Sequence, residues 1–188
     1  DDIFIITSGK EVQAEFETEL QDALPKGLQF NGAKQRIMTF SPFVRGQIGA
    51  QHKFSYLGYE FEISHVERTK AVFGLQRSVS IDIAPSKVRK LKTRVVKSLI
   101  AFSRDGDWDL LKSRIRLLTS NFNFVDRQTG VRRVSGIYFN YPMTDVRRSK
   151  ALPELDRFLR NSLMSSHPKN RWRPTISKAQ RSELLKLT

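Results

Sequence analysis

The 188-residue chain contains no cysteine and only three histidines, and its apolar runs are short. Without cysteine it can form no disulfide, no thiolate zinc site and no cysteine nucleophile. His52, His65 and His167 are scattered and show no ligand spacing. A helix that crosses a bilayer needs about 20 consecutive apolar residues, and no run approaches that length. We therefore expect no histidine-based metal site and no membrane association.

The charge is large and unevenly placed. The chain carries 33 Lys/Arg against 19 Asp/Glu, a formal net charge of +14. Residues 1–50 hold 5 of these cations and 7 of the acids, so residues 51–188 hold 28 against 12. A strongly basic region is typical of a phosphate-binding surface. An anionic membrane or an acidic protein partner is compatible with the same charge, and we favour nucleic acid.

The first 85 residues have the pattern of short strands around one helix. Apolar or alternating runs predict strands at 2–7, 35–40 and 79–83. The run 53–63 predicts either one strand or a tight hairpin with Gly58 at its bend. A capping-box pattern at Ser8 and Glu11 predicts the start of a helix. Its apolar stripe follows four-residue spacing: Val12, Phe16, Leu20 and Leu24.

From Pro85 onward the pattern is mainly helical. We expect Ser86 to cap a long basic helix, and the aspartates at 105–109 to cap the next one, which begins at Trp108. A β-hairpin is predicted around 126–130, followed by helices at 152–163 and 177–187. The chain is thus predicted to have an α+β fold in two parts, residues 1–85 and residues 86–188. The stripe of the long helix is Val88, Leu91, Val95, Leu99 and Phe102.

Two aspartates, Asp1 and Asp2, directly precede the first apolar run. Aspartate is favoured in turns, so a structural turn is one interpretation. A metal site is the other, because a strand fixes the direction of both side chains and Mg²⁺ binds carboxylate oxygens at defined positions. The pair alone leaves both interpretations open.

Three motifs follow one another in the first 63 residues: Asp1-Asp2, then the segment Gly27–Lys34, then Leu57-Gly58-Tyr59 after Phe54. This order resembles the palm of a reverse transcriptase, and the basic helical part after it resembles the thumb more loosely. Asp1-Asp2 match the end of the family's aromatic-x-Asp-Asp motif. Gly27–Lys34 is similar to Gly-Leu-x-Leu-Asn-x-x-Lys, with Phe30 replacing the second Leu. The third motif resembles Phe-Leu-Gly-Tyr, here with two residues inserted after Phe54.

The resemblance implies Mg²⁺-dependent extension of a primer, with catalytic and metal-binding roles for Asp1 and, in support, Asp2. Lys34 would protonate or neutralise the departing pyrophosphate, unless it is a solvated loop lysine. The primer grip would consist of Leu57, Gly58 and Tyr59, and the alternative there is a plain core hairpin. Six cations of the long helix would contact phosphates of the template–primer duplex, rather than being a solvated face: Lys87, Arg89, Lys90, Lys92, Arg94 and Lys97.

We further expect the chain to be the carboxy-terminal palm and thumb of a larger, cytoplasmic protein. In the family, a third carboxylate and the nucleotide-gripping fingers precede this part, so the chain alone should not polymerise. The parent would use an RNA template, a DNA primer and dNTPs. Segments at 92–94, 118–121 and 136–138 look most like bacterial abortive-infection and phage-defence enzymes. Retron and group II intron enzymes share the palm motifs equally well.

Three other functions remain open from the sequence. The first is a non-catalytic nucleic-acid-binding module in which Asp1-Asp2 form only a turn. The second is an interaction subunit of a defence complex, with its basic helices docked on an acidic protein. An RNA-copying RNA polymerase is the third, although that class would carry Gly immediately before Asp1.

Overall fold

The computed structural model describes residues 3–40, 52–68, 75–164 and 176–186; of these, the side chains at 65–68 and 75–77 are left undescribed. The fold is mixed α+β, as predicted, and it divides into two compact units, residues 1–49 and residues 50–188. Within the described ranges, no helix has both the length and the apolar character that a bilayer crossing requires.

The first unit contains one described helix, α1 (Gln13–Asp22). It begins four residues later than the capping-box pattern predicted, with Val12 and not Ser8 at the N-cap. Ser8 and Glu11 do interact, with 2.9 Å between Oγ and Oε1, but they close a local turn ahead of the helix. Gly9 explains the delay, because its φ of +77° is a left-handed conformation that a right-handed helix does not contain.

The strands predicted at 2–7 and 35–40 are wrong over the residues that the structure describes. Residues 3–7 and 35–40 have no regular secondary structure. A strand is stabilised by hydrogen bonds to a neighbouring strand and by burial of one face, and apolar character alone supplies neither. Ile3, Ile5 and Ile6 are accordingly exposed to solvent.

The second unit opens with a three-stranded antiparallel sheet in the order β1 (His52–Tyr56), β2 (Tyr59–Arg68), β3 (Leu75–Ile83). Leu57 and Gly58 alone connect β1 to β2, with φ values of +48° and +87°. Positive φ at both central residues is the signature of a type I′ hairpin turn. The alternative of a tight hairpin with Gly58 at its bend is therefore confirmed, as is the strand at 79–83.

The rest of the second unit is mainly helical. The hairpin predicted around 126–130 is confirmed, and so are the helices predicted after it. The remaining elements are α2 (Pro85–Asp105), α3 (Trp108–Thr119), β4 (Phe122–Val125), β5 (Arg132–Ser135), α4 (Ile137–Asn140), α5 (Ala151–Met164) and α6 (Lys178–Leu185).

The predicted helix caps have mixed outcomes. Asp107 is the N-cap of α3, because its Oδ1 accepts the Leu110 N–H at 2.9 Å. Ser86 is not the cap of α2, which begins at Pro85 after Ala84. Proline suits the first helical position, since its fixed φ is helical and its missing N–H would have no partner there. Ser86 consequently lies inside the first turn.

The main core lies between four helices, α2, α3, α5 and α6. The predicted stripe of α2 supplies Val95 and Leu99, with Phe102 packed at the edge. Small domains depend on such a core because apolar burial is the dominant favourable term in folding. The other buried members of this core are Leu111, Ile115, Leu159, Leu163, Ile176 and Leu184.

A second, smaller cluster joins the sheet to the helices. It contains Ile83 of β3, Val88 of α2 and Ala151 of α5. The structural division between the units therefore falls at 49/50, ahead of the sheet. The sequence prediction placed its boundary at 85/86, where the texture changes from strands to helices, because texture does not show which elements pack together.

Candidate nucleic-acid interface

One face of α2 is cationic and exposed. Arg89, Lys90, Arg94 and Lys97 project from it and, with the hydroxyl residues at 86 and 93, line a shallow groove along the helix. The spacing of three, four and seven residues places these positions on one side of a helix. Asp105 is the sole acid within α2, and it lies at the last helical residue. The exposed face therefore presents positive charge along most of the helix.

Lys92, the fifth predicted phosphate contact, is directed elsewhere. Its ammonium forms an ion pair with Glu154 of α5 and lies 5.2 Å from the centroid of the Phe158 ring. Both partners belong to the helix packed against α2, so this side chain joins two helices. The Lys92 ammonium is thus directed towards α5, and Lys92 does not line the groove along α2. The prediction that it contacts phosphate stays a prediction.

Lys87, the sixth, lies beside the β1–β2 turn. A Cβ atom built on Gly58 would stand 3.0 Å from Lys87 Cε, so the lysine stem packs directly over the glycine. The Ala84 N–H donates to the Gly58 carbonyl oxygen at 2.9 Å. The first turn of α2 and the predicted primer-grip turn are thus in direct contact, although 28 positions separate Gly58 from Ser86 in the chain.

The three predicted primer-grip residues have different environments. Leu57 is 63% exposed, and its backbone is held in the left-handed region that non-glycine residues rarely adopt. Tyr59 is buried, and its ring packs edge-on against Tyr141, with 5.7 Å between centroids. Burial raises the pKa of Tyr141. Leu57 is therefore the side chain of this turn that faces solvent, while Tyr59 anchors the turn from below.

Asp82 fixes the sheet to α5. Its carboxylate accepts hydrogen bonds from the Ser149 hydroxyl at 2.7 Å and from the Lys150 and Ala151 N–H groups at 2.7 and 3.1 Å. Burial acts to raise the pKa of Asp82, but these bonds and that from the Ile83 N–H outweigh it and lower the pKa. A carboxylate at a helix N-terminus satisfies N–H groups that have no partner within the helix.

The polar face of the sheet lines a cleft of about 400 Å³ at this junction. Lys53 lies 2.9 Å from Glu62, and Lys150 lies 3.6 Å from the same carboxylate. The hydrogen bond and charge of Glu62 raise the pKa of Lys53, and the hydrogen bond from Lys53 lowers the pKa of Glu62 against the opposing effect of burial. The cleft therefore contains mutually paired charges, and Arg89 of α2 lines both this cleft and the groove along the helix.

Of the predicted catalytic residues, Lys34 alone is among the residues that the structure describes. Asp1 and Asp2 fall outside the described residues, so the structure assigns them no geometry. Lys34 belongs to the first unit, where its N–H closes a turn by donating to the Asn31 carbonyl oxygen at 2.8 Å; its side chain is exposed. In the part of the chain that is described, no three His, Cys, Asp or Glu residues converge as a metal site would require.

Sequence reasoning missed the residues that position the surface. Glu154, Phe158 and Tyr141 come from distant parts of the chain, and nothing local marks them as partners of Lys92 or Tyr59. Asp82 was more accessible to prediction. Ser149 lies two residues before the amphipathic helix α5, and a hydroxyl near a helix start favours a capping interaction.

Comparisons with known proteins find no matching family model, no matching curated protein and no matching solved structure. The functional argument therefore rests on the residues and contacts of this chain.

Proposed function

We propose that the second unit binds a nucleic-acid duplex along the exposed face of α2, as the thumb of an RNA-directed DNA polymerase. The proposal is carried by one observation: Arg89, Lys90, Arg94 and Lys97 form an acid-free stripe next to the turn that exposes Leu57. Phosphate contacts from such a stripe would position a duplex without reading its bases. We assign the whole protein to prokaryotic antiviral defence in the cytoplasm, on the resemblance described above.

The dimensions of the stripe suit a duplex backbone. From Arg89 to Lys97 the helix rises about 12 Å, at about 1.5 Å per residue. Phosphates of one strand follow each other every 3.4 Å or so along the duplex axis, so this length passes about three to four of them. Four cations therefore match the number of phosphates within reach.

The β1–β2 turn supports a primer contact at one end of the stripe. Leu57 points outward, and the lysine that packs over Gly58 belongs to the first turn of α2. A terminal base pair placed against Leu57 would have its backbone directed along the cations of α2. Holding a strained, exposed leucine in place requires a fixed support, which Tyr59 and Tyr141 supply.

Asp1 and Asp2 would hold Mg²⁺, since two adjacent carboxylates offer the oxygen ligands that this ion binds. When bound, the metal would activate the primer hydroxyl and neutralise charge on pyrophosphate. Lys34 is proposed for the leaving-group side, where an exposed ammonium can donate a proton. RNA template, DNA primer and dNTPs are the corresponding partners.

Duplex binding is tested by fluorescence anisotropy with a blunt RNA–DNA hybrid over a range of salt concentrations. We expect a slope of log affinity against log salt of about −3.5, from about 0.9 per phosphate contact. A four-site variant with Arg89, Lys90, Arg94 and Lys97 changed to Gln should lose most of this slope. The matched control removes four exposed cations from α5, α6 and the residue that caps α6: Arg157, Arg160, Lys178 and Lys186 to Gln.

Both four-site variants have the same net charge, so a general attraction between a basic protein and nucleic acid would weaken equally in both. A control variant that binds as poorly as the α2 variant contradicts the proposal. So does an α2 variant that keeps the wild-type slope. A pull-down in which the α2 face retains an acidic protein but no duplex would favour an interaction subunit instead.

A further inference from the structure

The β4–β5 hairpin carries a row of aromatic and cationic side chains that has no part in the duplex contact proposed for α2. Cross-strand pairing places Phe124 opposite Arg133, and Phe122 lies two residues away on the same face of β4. The Arg116 guanidinium of α3 lies 5.9 Å from the centroid of the Phe122 ring. The row therefore consists of Arg116, Phe122, Phe124 and Arg133. Phe124 is 53% exposed.

The tip of the hairpin is held by hydrogen bonds, and its one acid takes part in them. Asp126 accepts the Gln128 and Thr129 N–H groups at 2.9 and 3.3 Å and pairs with Arg133 at 3.1 Å. Arg127 beside it is exposed. The hairpin carries a net positive charge, because it has three arginines against this one carboxylate: Arg127, Arg132 and Arg133.

The foot of the hairpin fixes its direction. Gly136 has φ +111°, and a Cβ atom there would stand 2.4 Å from Asn121 Oδ1, so no other residue fits. The same Asn121 oxygen accepts the Tyr138 N–H at 2.9 Å. A two-stranded ribbon is marginally stable by itself in water, and this foot holds it in one orientation.

The hairpin is connected directly to the primer-grip turn. Its second strand leads through α4 to Tyr141, whose ring packs on Tyr59 and approaches Gly58. The segment after β5 and the first turn of α2 thus both contact the primer-grip turn, the former through Tyr141 and the latter through Lys87. A nucleic acid seated on α2 would therefore have the hairpin near one end.

We propose that this hairpin binds the unpaired strand that continues from the duplex held on α2, with Phe124 stacked on a base and Arg133 and Arg127 on the backbone. The inference rests on the proposed duplex binding and adds a second contact to it. Stacking on an aromatic side chain suits any unpaired base, because every base has a π-face. A paired A-form helix suits the ribbon less well, because its major groove is deep and narrow.

The test compares two probes on the full 188-residue chain. One is the blunt RNA–DNA hybrid; the other carries an unpaired extension of about six nucleotides, within the usual site size of a single-strand-binding module. Extensions are made at each end in turn. We expect the wild-type protein to bind one extended probe about tenfold more tightly than the blunt one, as one stacked base would produce.

Variants on the two faces of the hairpin show which side chains produce the tighter binding of the extended probe. Phe124→Ala with Arg133→Gln should abolish the tenfold gain and leave blunt-duplex affinity unchanged. Val125→Ala with Arg132→Gln alters the opposite face of the same ribbon and should keep the gain. Phe124→Trp should also keep it, and its emission should be quenched by the extended probe but not by the blunt one.

Three outcomes would overturn the inference: no gain from either extension, a gain that survives the Phe124 and Arg133 changes, or equal loss in both face variants. None of these outcomes contradicts the duplex proposal. That proposal fails instead if blunt-duplex binding is independent of the α2 cations. Matching thermal unfolding of both face variants shows that a lost gain comes from the removed side chains.

Discussion

Residues 3–40 and residues 52–186 carry similar amphipathic patterns but differ in what covers them. In the second region, Leu99, Leu111 and Ile115 are fully buried between helices. In the first, α1 contains no buried residue, and its predicted stripe is half-buried at Phe16 and beyond. The difference shows that periodicity specifies which face of a helix is apolar, while burial depends on a second layer of structure.

The same contrast holds for polar contacts. In the first region, Ser8 bonds to Glu11 and Phe30 to Gln21, three and nine residues apart. In the second, Asp82 bonds to Ser149 across 67 residues. Local contacts form wherever the sequence allows them, whereas distant ones require that elements pack first. Stability and a fixed surface should therefore be concentrated in the second region.

The largest expected effect separates two leucines of matched chemistry. Leu111→Ala should lower the free energy of unfolding by about 3 kcal/mol or more, because it leaves a cavity in a fully buried site. Leu20→Ala, on the half-buried stripe of α1, should cost under about 1 kcal/mol. Chemical denaturation monitored by circular dichroism measures both. Equal losses of unfolding free energy would show that α1 is covered as well as the core is, and would contradict the comparison.

Sequence reasoning predicted most of the second region because its elements carry strong local signals. The Leu57-Gly58 turn, the Asp107 cap and the apolar stripe of α2 each follow from residues within one turn of helix or hairpin. In the first region, the strands that apolar runs predicted at 2–7 and 35–40 are wrong over the described residues. A strand depends on a partner strand, which composition does not specify.

The candidate surface was predicted as a group but not residue by residue. A run of lysines and arginines shows that a helix has a basic face, and four of the six cations do form it. Lys92 looks the same in sequence as Lys97, and its partner Glu154 is 62 residues away. The roles of Asp1, Asp2 and Lys34 stay predictions.

A substitution at Asp82 should give the next largest effect. It tests how much a contact between distant residues contributes to stability. Asp82→Asn should destabilise the protein by about 1–2 kcal/mol, because the amide cannot accept all of the bonds at the start of α5. Asp156→Asn, an exposed change on α5, is the control and should have little effect.

Linkage gives this prediction a pH signature. The pKa of Asp82 is lower in the folded state than in the unfolded chain, so its stabilising contribution is complete above the unfolded value, near 4. The contribution is lost as the pH falls through the folded value. The difference in unfolding free energy between wild type and Asp82→Asn should therefore shrink below about pH 4. A difference that stays constant down to pH 2 or so would show that Asp82 acts through shape alone.

Lys92 and Lys97 test, within one helix, the difference between a side chain that contacts another helix and one that lies on the exposed face. Lys92→Met should lower stability by about 1 kcal/mol, through its lost ion pair and ring contact, and leave the salt slope of duplex binding unchanged. Lys97→Met should do the reverse and reduce the slope by about 1. Thermal unfolding and salt-dependent anisotropy on both proteins separate the roles. If both lysines change the slope alike, the Lys92 contact to α5 does not hold in solution.

The smallest effect concerns a local contact in the first region. Hydrogen bonds from its own backbone N–H and then from the Ser8 hydroxyl lower the pKa of Glu11 to about 2. Ser8→Ala should raise that pKa part of the way towards 4.5, since the backbone bond stays, while Ser8→Thr keeps a hydroxyl and should preserve the low value. The carboxyl carbon resonance of Glu11, followed by NMR against pH, reports the change directly. A Glu11 pKa near its ordinary value in the wild-type protein would mean that the Ser8–Glu11 contact does not form without a covering layer of structure. Local and distant contacts would then not differ in the way that the comparison of the two regions requires.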